Sequence, residues 1–145
     1  MIRPNFISLK TKYKLNSIEI HKCSMYFPNT CAIRMSEALV AVNSNFLEIF
    51  KNSGKNVCPH GYVRGAQDLA AILAKRSVFG PRDIGWTGKQ TGGSMPSNVV
   101  GKKGIICYMN IPGYSGQGHI DLWNNSNPVG AAYWDAKTIW MWKLK

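Results

Sequence analysis

The feature that most constrains this chain is a change of hydrophobic period along its length. Up to about residue 75 the apolar positions recur at helical spacing, whereas beyond residue 100 they come in short alternating runs separated by glycine-rich turns. Helices first and strands afterwards specify an α+β fold, with N-terminal helices packed on an antiparallel sheet. The chain has 145 residues, room for one hydrophobic core, so residues 1–145 are expected to form a single domain.

The strongest helix signal starts at residue 30. Pro28 stops a helix from beginning earlier, and Asn29 or Thr30 supplies an N-cap oxygen. Cys31, Met35, Ala38 and Val42 then follow one apolar stripe, widened by Ile33 and Leu39. A second helix is expected from about Arg64 to Lys75, where Ala66, Leu69, Ala70 and Leu73 repeat before Gly80-Pro81. Residues 1–20 read as a strand or irregular arm, since Pro4 opposes a helix at the very start.

In the second half, Gly101–Gly104 reads as a turn and Ile105–Met109 as a short buried strand. The Gly-rich stretches 85–93 and 113–118 read as loops; the first, with Trp86, either borders a glycan or peptide groove or is a plain surface loop. The strand from His119 to Trp123 places His119, Asp121 and Trp123 on one face and Ile120 and Leu122 on the other. Asn124–Pro128 turns the chain. A last strand spans Thr138–Leu144, with Trp140 and Trp142 on one face; these and Trp123 are expected in the core.

Charge and hydropathy exclude several classes of function. No run of roughly 18 apolar residues exists, so nothing is expected to insert into a membrane, and the first residues lack the apolar stretch of a secretory signal. Eighteen Lys and Arg against seven Asp and Glu leave a net charge of +11, which favours an anionic partner. The cations form no continuous stripe interleaved with aromatic residues, so a nucleic-acid groove is not expected.

A thiol in the first turn of a helix is stabilised as thiolate by the helix dipole, and the free amides beside it point where an oxyanion would form. Cys31 has that position. A later strand-borne histidine entered through a flexible loop suits a general base, and His119 has that one. Nucleophile on a helix, then base on a strand, is the papain-like order of a cysteine amidase. No metal or organic cofactor is needed.

The residues themselves carry a resemblance. Asn-Thr-Cys-Ala-Ile-Arg-Met-Ser-Glu-Ala-Leu at 29–39 and Gly-His-Ile-Asp-Leu-Trp at 118–123 resemble the two signature segments of the type VI secretion amidase effectors, fourth family. Similarity extends through Tyr62–Leu69, Gly101–Ile105, Tyr133–Lys137 and Trp140–Leu144. The resemblance implies a papain-like cysteine amidase that hydrolyses the γ-D-glutamyl–meso-diaminopimelate bond of peptidoglycan stem peptides. It implies an antibacterial toxin made in the cytoplasm and passed by the secretion apparatus into a target cell's periplasm. Its partners would be the stem peptides, that apparatus and a cognate immunity protein. Cys31 is then the nucleophile and His119 the base.

The third catalytic residue departs from the family pattern. Members of the family resemble one another in an Asp between two cysteines after the His strand, and residues 124–132 here contain neither residue type. Asp121 is the favoured orienting acid, with Asp135, Asn124 and Asn127 as alternatives. The missing loop Asp keeps open a catalytically weak or inactive peptidoglycan-binding module. An oxidising site of action would pair Cys23 with Cys58, although Cys107 allows other pairings. A zinc set from His21, Cys23, Cys58 and His60 is the lesser alternative.

Overall fold

The computed structural model describes residues 1–14, 23 and 30–145. The chain opens with α1 (Phe6–Lys12), where an irregular arm or strand was expected. The reason is local: Asn5 accepts from the amides of Ile7 at 2.9 Å and Ser8 at 3.4 Å, and Pro4 lies outside the helix, where its missing N–H costs nothing. Phe6 and Leu9 bury the inner face of α1. The expected pattern at 15–20 lies outside the described residues.

The cysteine-bearing helix is α2 (Cys31–Val42), with Thr30 at its N-cap position, although the Thr30 side chain does not supply the expected cap oxygen. Asn29, the other cap candidate, is outside the described residues. A short helix that periodicity did not single out, α3 (Asn45–Lys51), follows and inserts Phe46 and Phe50 into the core. The second expected helix is α4 (Ala66–Leu73), shorter than 64–75 at both ends and preceded by Gly65.

The sheet is five-stranded and antiparallel, in the order β1-β5-β2-β3-β4, which makes the fold α+β as expected. Its strands are β1 (Ile84–Thr87), β2 (Lys102–Met109), β3 (His119–Asn125), β4 (Asn127–Pro128) and β5 (Thr138–Lys143). Two corrections concern glycines. The stretch 85–93 is not a loop: it supplies β1 and then α5 (Gly88–Thr91), whose start is fixed by a reciprocal cap between Thr87 and Gln90. Gly101–Gly104 is not a turn throughout, because β2 begins at Lys102 and pairs Gly104 with both Trp123 and Lys143. A side chain at Gly104 would meet the Trp142 carbonyl carbon and oxygen, so that close strand approach needs glycine.

Both faces of the sheet are covered. The alternation read for β3 holds: Ile120 and Leu122 join Met35, Ala38 and Leu39 of α2 and Leu69 and Leu73 of α4 in one core. Trp123 enters a second core with Ile106, Tyr108 and Met141, roofed by Tyr114, Tyr133 and Trp134 from the connecting segments. Trp142 is fully buried and Trp140 packs beside it. Each buried large side chain contributes roughly 1.5–3 kcal/mol, so these contacts outweigh local propensity in fixing α2 against β3. β4 runs beside β3 only at Trp123 and Asn124, leaving the His119–Asp121 end as an edge.

Cys23 and Cys58 form a disulfide across 35 residues and cluster with Ile33 and Tyr62. Both sulfurs are therefore consumed and the zinc alternative fails; His21 lies outside the described residues, among which no group of metal ligands occurs. Cys31 and Cys107 take no part in a disulfide. Cys107 is buried on the Ala66 carbonyl, 3.6 Å away, and burial pushes its thiol well up. No helix among the described residues is long and apolar enough to cross a membrane.

Candidate active site

Cys31 is the first residue of α2, where helix geometry leaves the initial amides without intrahelical acceptors. The Thr30 side chain takes none of them, and no acidic residue occupies the first turn. The positive end of the α2 dipole therefore faces the thiol uncompensated. The sulfur lies 3.9 Å from the Gly118 carbonyl oxygen, at the end of the loop that delivers His119.

Gly118 is itself a positional requirement. Its φ is +110°, in the region that favours glycine, and a Cβ would sit 2.1 Å from the Tyr108 carbonyl oxygen. The preceding Gln117 is anchored as well: its side-chain oxygen accepts from the Asp68 amide at 2.8 Å, in the first turn of α4. Two helix starts thus hold the chain where it enters β3.

His119 and Asp121 are two residues apart on one face of β3, and His119 Nε2 lies 3.2 Å from Asp121 Oδ2. The carboxylate is fully buried. Its Oδ1 accepts from the Leu122 amide at 2.8 Å, and its Oδ2 from the amides of Gly130 at 2.8 Å and Ala131 at 2.9 Å. Burial by itself pulls the His119 imidazole down. Hydrogen bonds to Asp121 and Cys31, with the charges of both, overcome it and push the imidazole from 6.5 up to about 9. The ring at this site is a proton acceptor of raised affinity, linked to a thiol on one side and a carboxylate on the other.

The structure therefore brings Cys31, His119 and Asp121 together. The alternative orienters lie elsewhere: Asp135 is exposed beside Thr87 and Lys137, Asn124 lines a hollow with Tyr13 and Lys103, and Asn127 is exposed and donates to Ser126. Trp86 is largely buried, with its indole N–H on Asn98 at 2.9 Å, and lines a surface hollow with Arg82, Gln90 and Trp140.

Several contributors escaped the sequence reading. The amides of Gly130 and Ala131 hold Asp121 from within segment 124–132, which itself carries neither Asp nor Cys. Tyr108 stacks on His119 at 6.1 Å between ring centroids, and Tyr133 meets it edge-on at 5.4 Å. Alternation along β2 puts Tyr108 on the His119 face, which is the signal that could have found it. Tyr13, at the end of α1, is buried with its hydroxyl beside the Asp121 carboxylate. Burial pushes that hydroxyl well up, and the charges of Asp121 and Cys31 add to the effect.

No curated protein sequence matches the chain. Among solved structures, the effector Tae4 from Salmonella typhimurium, in complex with the immunity protein Tai4 from Enterobacter cloacae, superposes with a TM-score of 0.75 at 23% identity, covering 99% of this chain and 100% of that one. Tae4 from Enterobacter cloacae superposes with a TM-score of 0.75 at 21% identity, covering 99% of this chain and 98% of that one. At such identity these two similarities establish the shared fold. The family model described as type VI secretion system (T6SS), amidase effector protein 4, matches residues 27–142, a span that includes Cys31, His119 and Asp121, and the chain accordingly belongs to that family of amidase effectors.

Proposed function

We propose that residues 1–145 act as one cysteine amidase unit on peptidoglycan, cutting the γ-D-glutamyl–meso-diaminopimelate bond of stem peptides in the periplasm of a target bacterium. The observation that carries this reading is the continuous link from the Cys31 thiol through the His119 imidazole to the buried Asp121 carboxylate. Asp121 engages Nε2, so Nδ1 is the nitrogen that takes the thiol proton. The sulfur attacks the γ-carbonyl carbon, and the first-turn amides of α2 receive the negative oxygen. The imidazolium protonates the departing amine of diaminopimelate, leaving a thioester. Water, losing its proton to His119, then attacks the thioester carbon; a glutamyl carboxylate leaves and the Cys31 thiol is restored.

The Asp121 position supports turnover over the silent binding module, because the loop acid it lacks is replaced from within β3. The net charge of +11 suits attraction to an anionic cell envelope. The solved Tae4 relatives bound to Tai4 support a cognate immunity protein for this chain too.

Purified Gram-negative sacculi, digested and resolved by chromatography with mass detection, test the assignment. The unsubstituted protein should release fragments with a new free amine on diaminopimelate, and Cys31→Ala should release none while unfolding at an unchanged temperature. Equal digestion by Cys31→Ala would refute a cysteine mechanism.

A further inference from the structure

His119 is in contact with more than the two groups that react with it. Tyr108, its direct partner in the β2–β3 register, lies nearly parallel to the imidazole, with 16° between planes. Tyr133 approaches at 68°, and its ring is also 5.9 Å from Tyr108, so the three rings make a closed triangle with sides of 5.4, 5.9 and 6.1 Å. Tyr114 backs Tyr133 from outside at 5.4 Å.

The backbone that carries Tyr133 is held on both sides. Upstream, the Gly130 and Ala131 amides donate to Asp121; downstream, the Thr91 hydroxyl donates to the Trp134 carbonyl and the Ala136 amide to that of Tyr133 at 3.1 Å. One segment therefore grips the acid with its amides and the base with a ring. The hydrogen bond at Nε2 fixes one point of the imidazole, whereas the torsion about its Cβ–Cγ bond is intrinsically broad. Rotation about that bond drives the imidazole into Tyr133 or off Tyr108.

We infer that Tyr133 is a positioning residue of the amidase reaction: its ring, held by segment 129–134, fixes the plane in which His119 meets the Cys31 sulfur. The inference rests on the amidase reading. The titratable groups facing the imidazole are Cys31 from α2, Asp121 from β3, Tyr108 from β2 and Tyr133 itself, with Tyr13 facing Asp121 and Cys31 from behind. The electron-rich face of Tyr108, stacked on the imidazole, also favours the protonated ring.

Alkylation of Cys31 by iodoacetamide, followed by mass spectrometry between pH 5 and 10 without substrate, separates this role from the reading beneath it. Tyr133→Leu should lower the alkylation rate below pH 8, and kcat with it, by about three- to tenfold, at a KM within twofold of the parent. Tyr133→Phe, which keeps the ring, should restore both. Unchanged alkylation and kcat in Tyr133→Leu, or a rise in KM alone, would overturn the positioning role and leave the amidase standing. A parent Cys31 no faster at pH 6 than a free thiol would remove the amidase reading and this inference with it. Should Tyr133→Leu not fold, the His119 Cε1 proton of the unsubstituted protein provides the check by NMR. Ring currents should displace it from the free imidazole position, and an undisplaced resonance would overturn the inference.

Discussion

Asp121→Asn is the most informative single substitution, because it keeps the shape of the side chain while removing its charge and one acceptor. The carboxylate accepts from the Leu122 amide on one oxygen and from the Gly130 amide, the Ala131 amide and His119 Nε2 on the other. A carboxamide has a single acceptor oxygen, so whichever way it is turned its NH2 faces at least one N–H. The less costly orientation gives up the Leu122 bond alone, leaving an unmet buried donor worth about 1–3 kcal/mol of stability. The charge matters more for function. His119 stands at about 9 rather than 6.5 in spite of burial, a preference for the imidazolium of about 3 kcal/mol at 1.36 kcal/mol per unit. Without the Asp121 charge, burial is opposed by Cys31 alone, and the imidazole should titrate near or below its ordinary position. If that preference sets the population of the reactive pair, kcat should fall about a hundredfold, the kinetic equivalent of about 3 kcal/mol. NMR titration of His119 and amine release from a stem peptide read the two effects separately. A variant that retains kcat within threefold, or whose His119 still titrates near 9, would show that Asp121 does not set the state of the base.

The remaining predictions follow from other parts of the fold. Gly118→Ala should cost at least about 1–3 kcal/mol from its backbone conformation alone, and abolish turnover by displacing His119 from Tyr108; Gly92→Ala, also at positive φ but with open space around it, should lose stability and keep activity. Replacing Cys23 and Cys58 by Ser reopens a 35-residue loop and should lower the unfolding free energy by about 3–4 kcal/mol in urea; a change below about 1 kcal/mol would show that the bond adds nothing to the fold. The raised His119 contributes stability that is fully present below its unfolded value of 6.5 and is lost as pH rises through about 9. The melting temperature should therefore decline across that window, and His119→Gln should remove the decline; an equal slope in the variant would exclude His119 as its source.

Where the sequence reading failed, it failed on short elements and on glycines. Pro4 opposes a helix that runs through it, yet it precedes the Asn5 cap and lies outside α1. α3 has only seven residues, too few for periodicity to reveal, and owes its existence to the burial of Phe46 and Phe50. Gly85, Gly88 and Gly104 were read as turn formers because glycine punctuates loops, but Gly104 is needed for close strand packing and Gly88 opens a capped helical turn. The two long signals succeeded for the opposite reason, since α2 and β3 carry enough periodic apolar residues for local pattern and tertiary burial to agree.

The amino-acid order alone determined that Cys31 begins a helix and that His119 and Asp121 share a strand face, because caps and side-chain alternation act within a few residues. Membership of the amidase family was legible there too, in the segments around those residues. Only the tertiary structure decided that the sulfur meets an imidazole 88 positions later, that Asp121 rather than Asp135 or an asparagine stands behind it, and that the Gly130–Ala131 amides and the Tyr108 and Tyr133 rings hold the pair. Those contacts depend on sheet register, on the close approach allowed by Gly118 and on the path of segment 129–134 across the open edge of β3. Such long-range juxtapositions are set by packing, and no local preference encodes them.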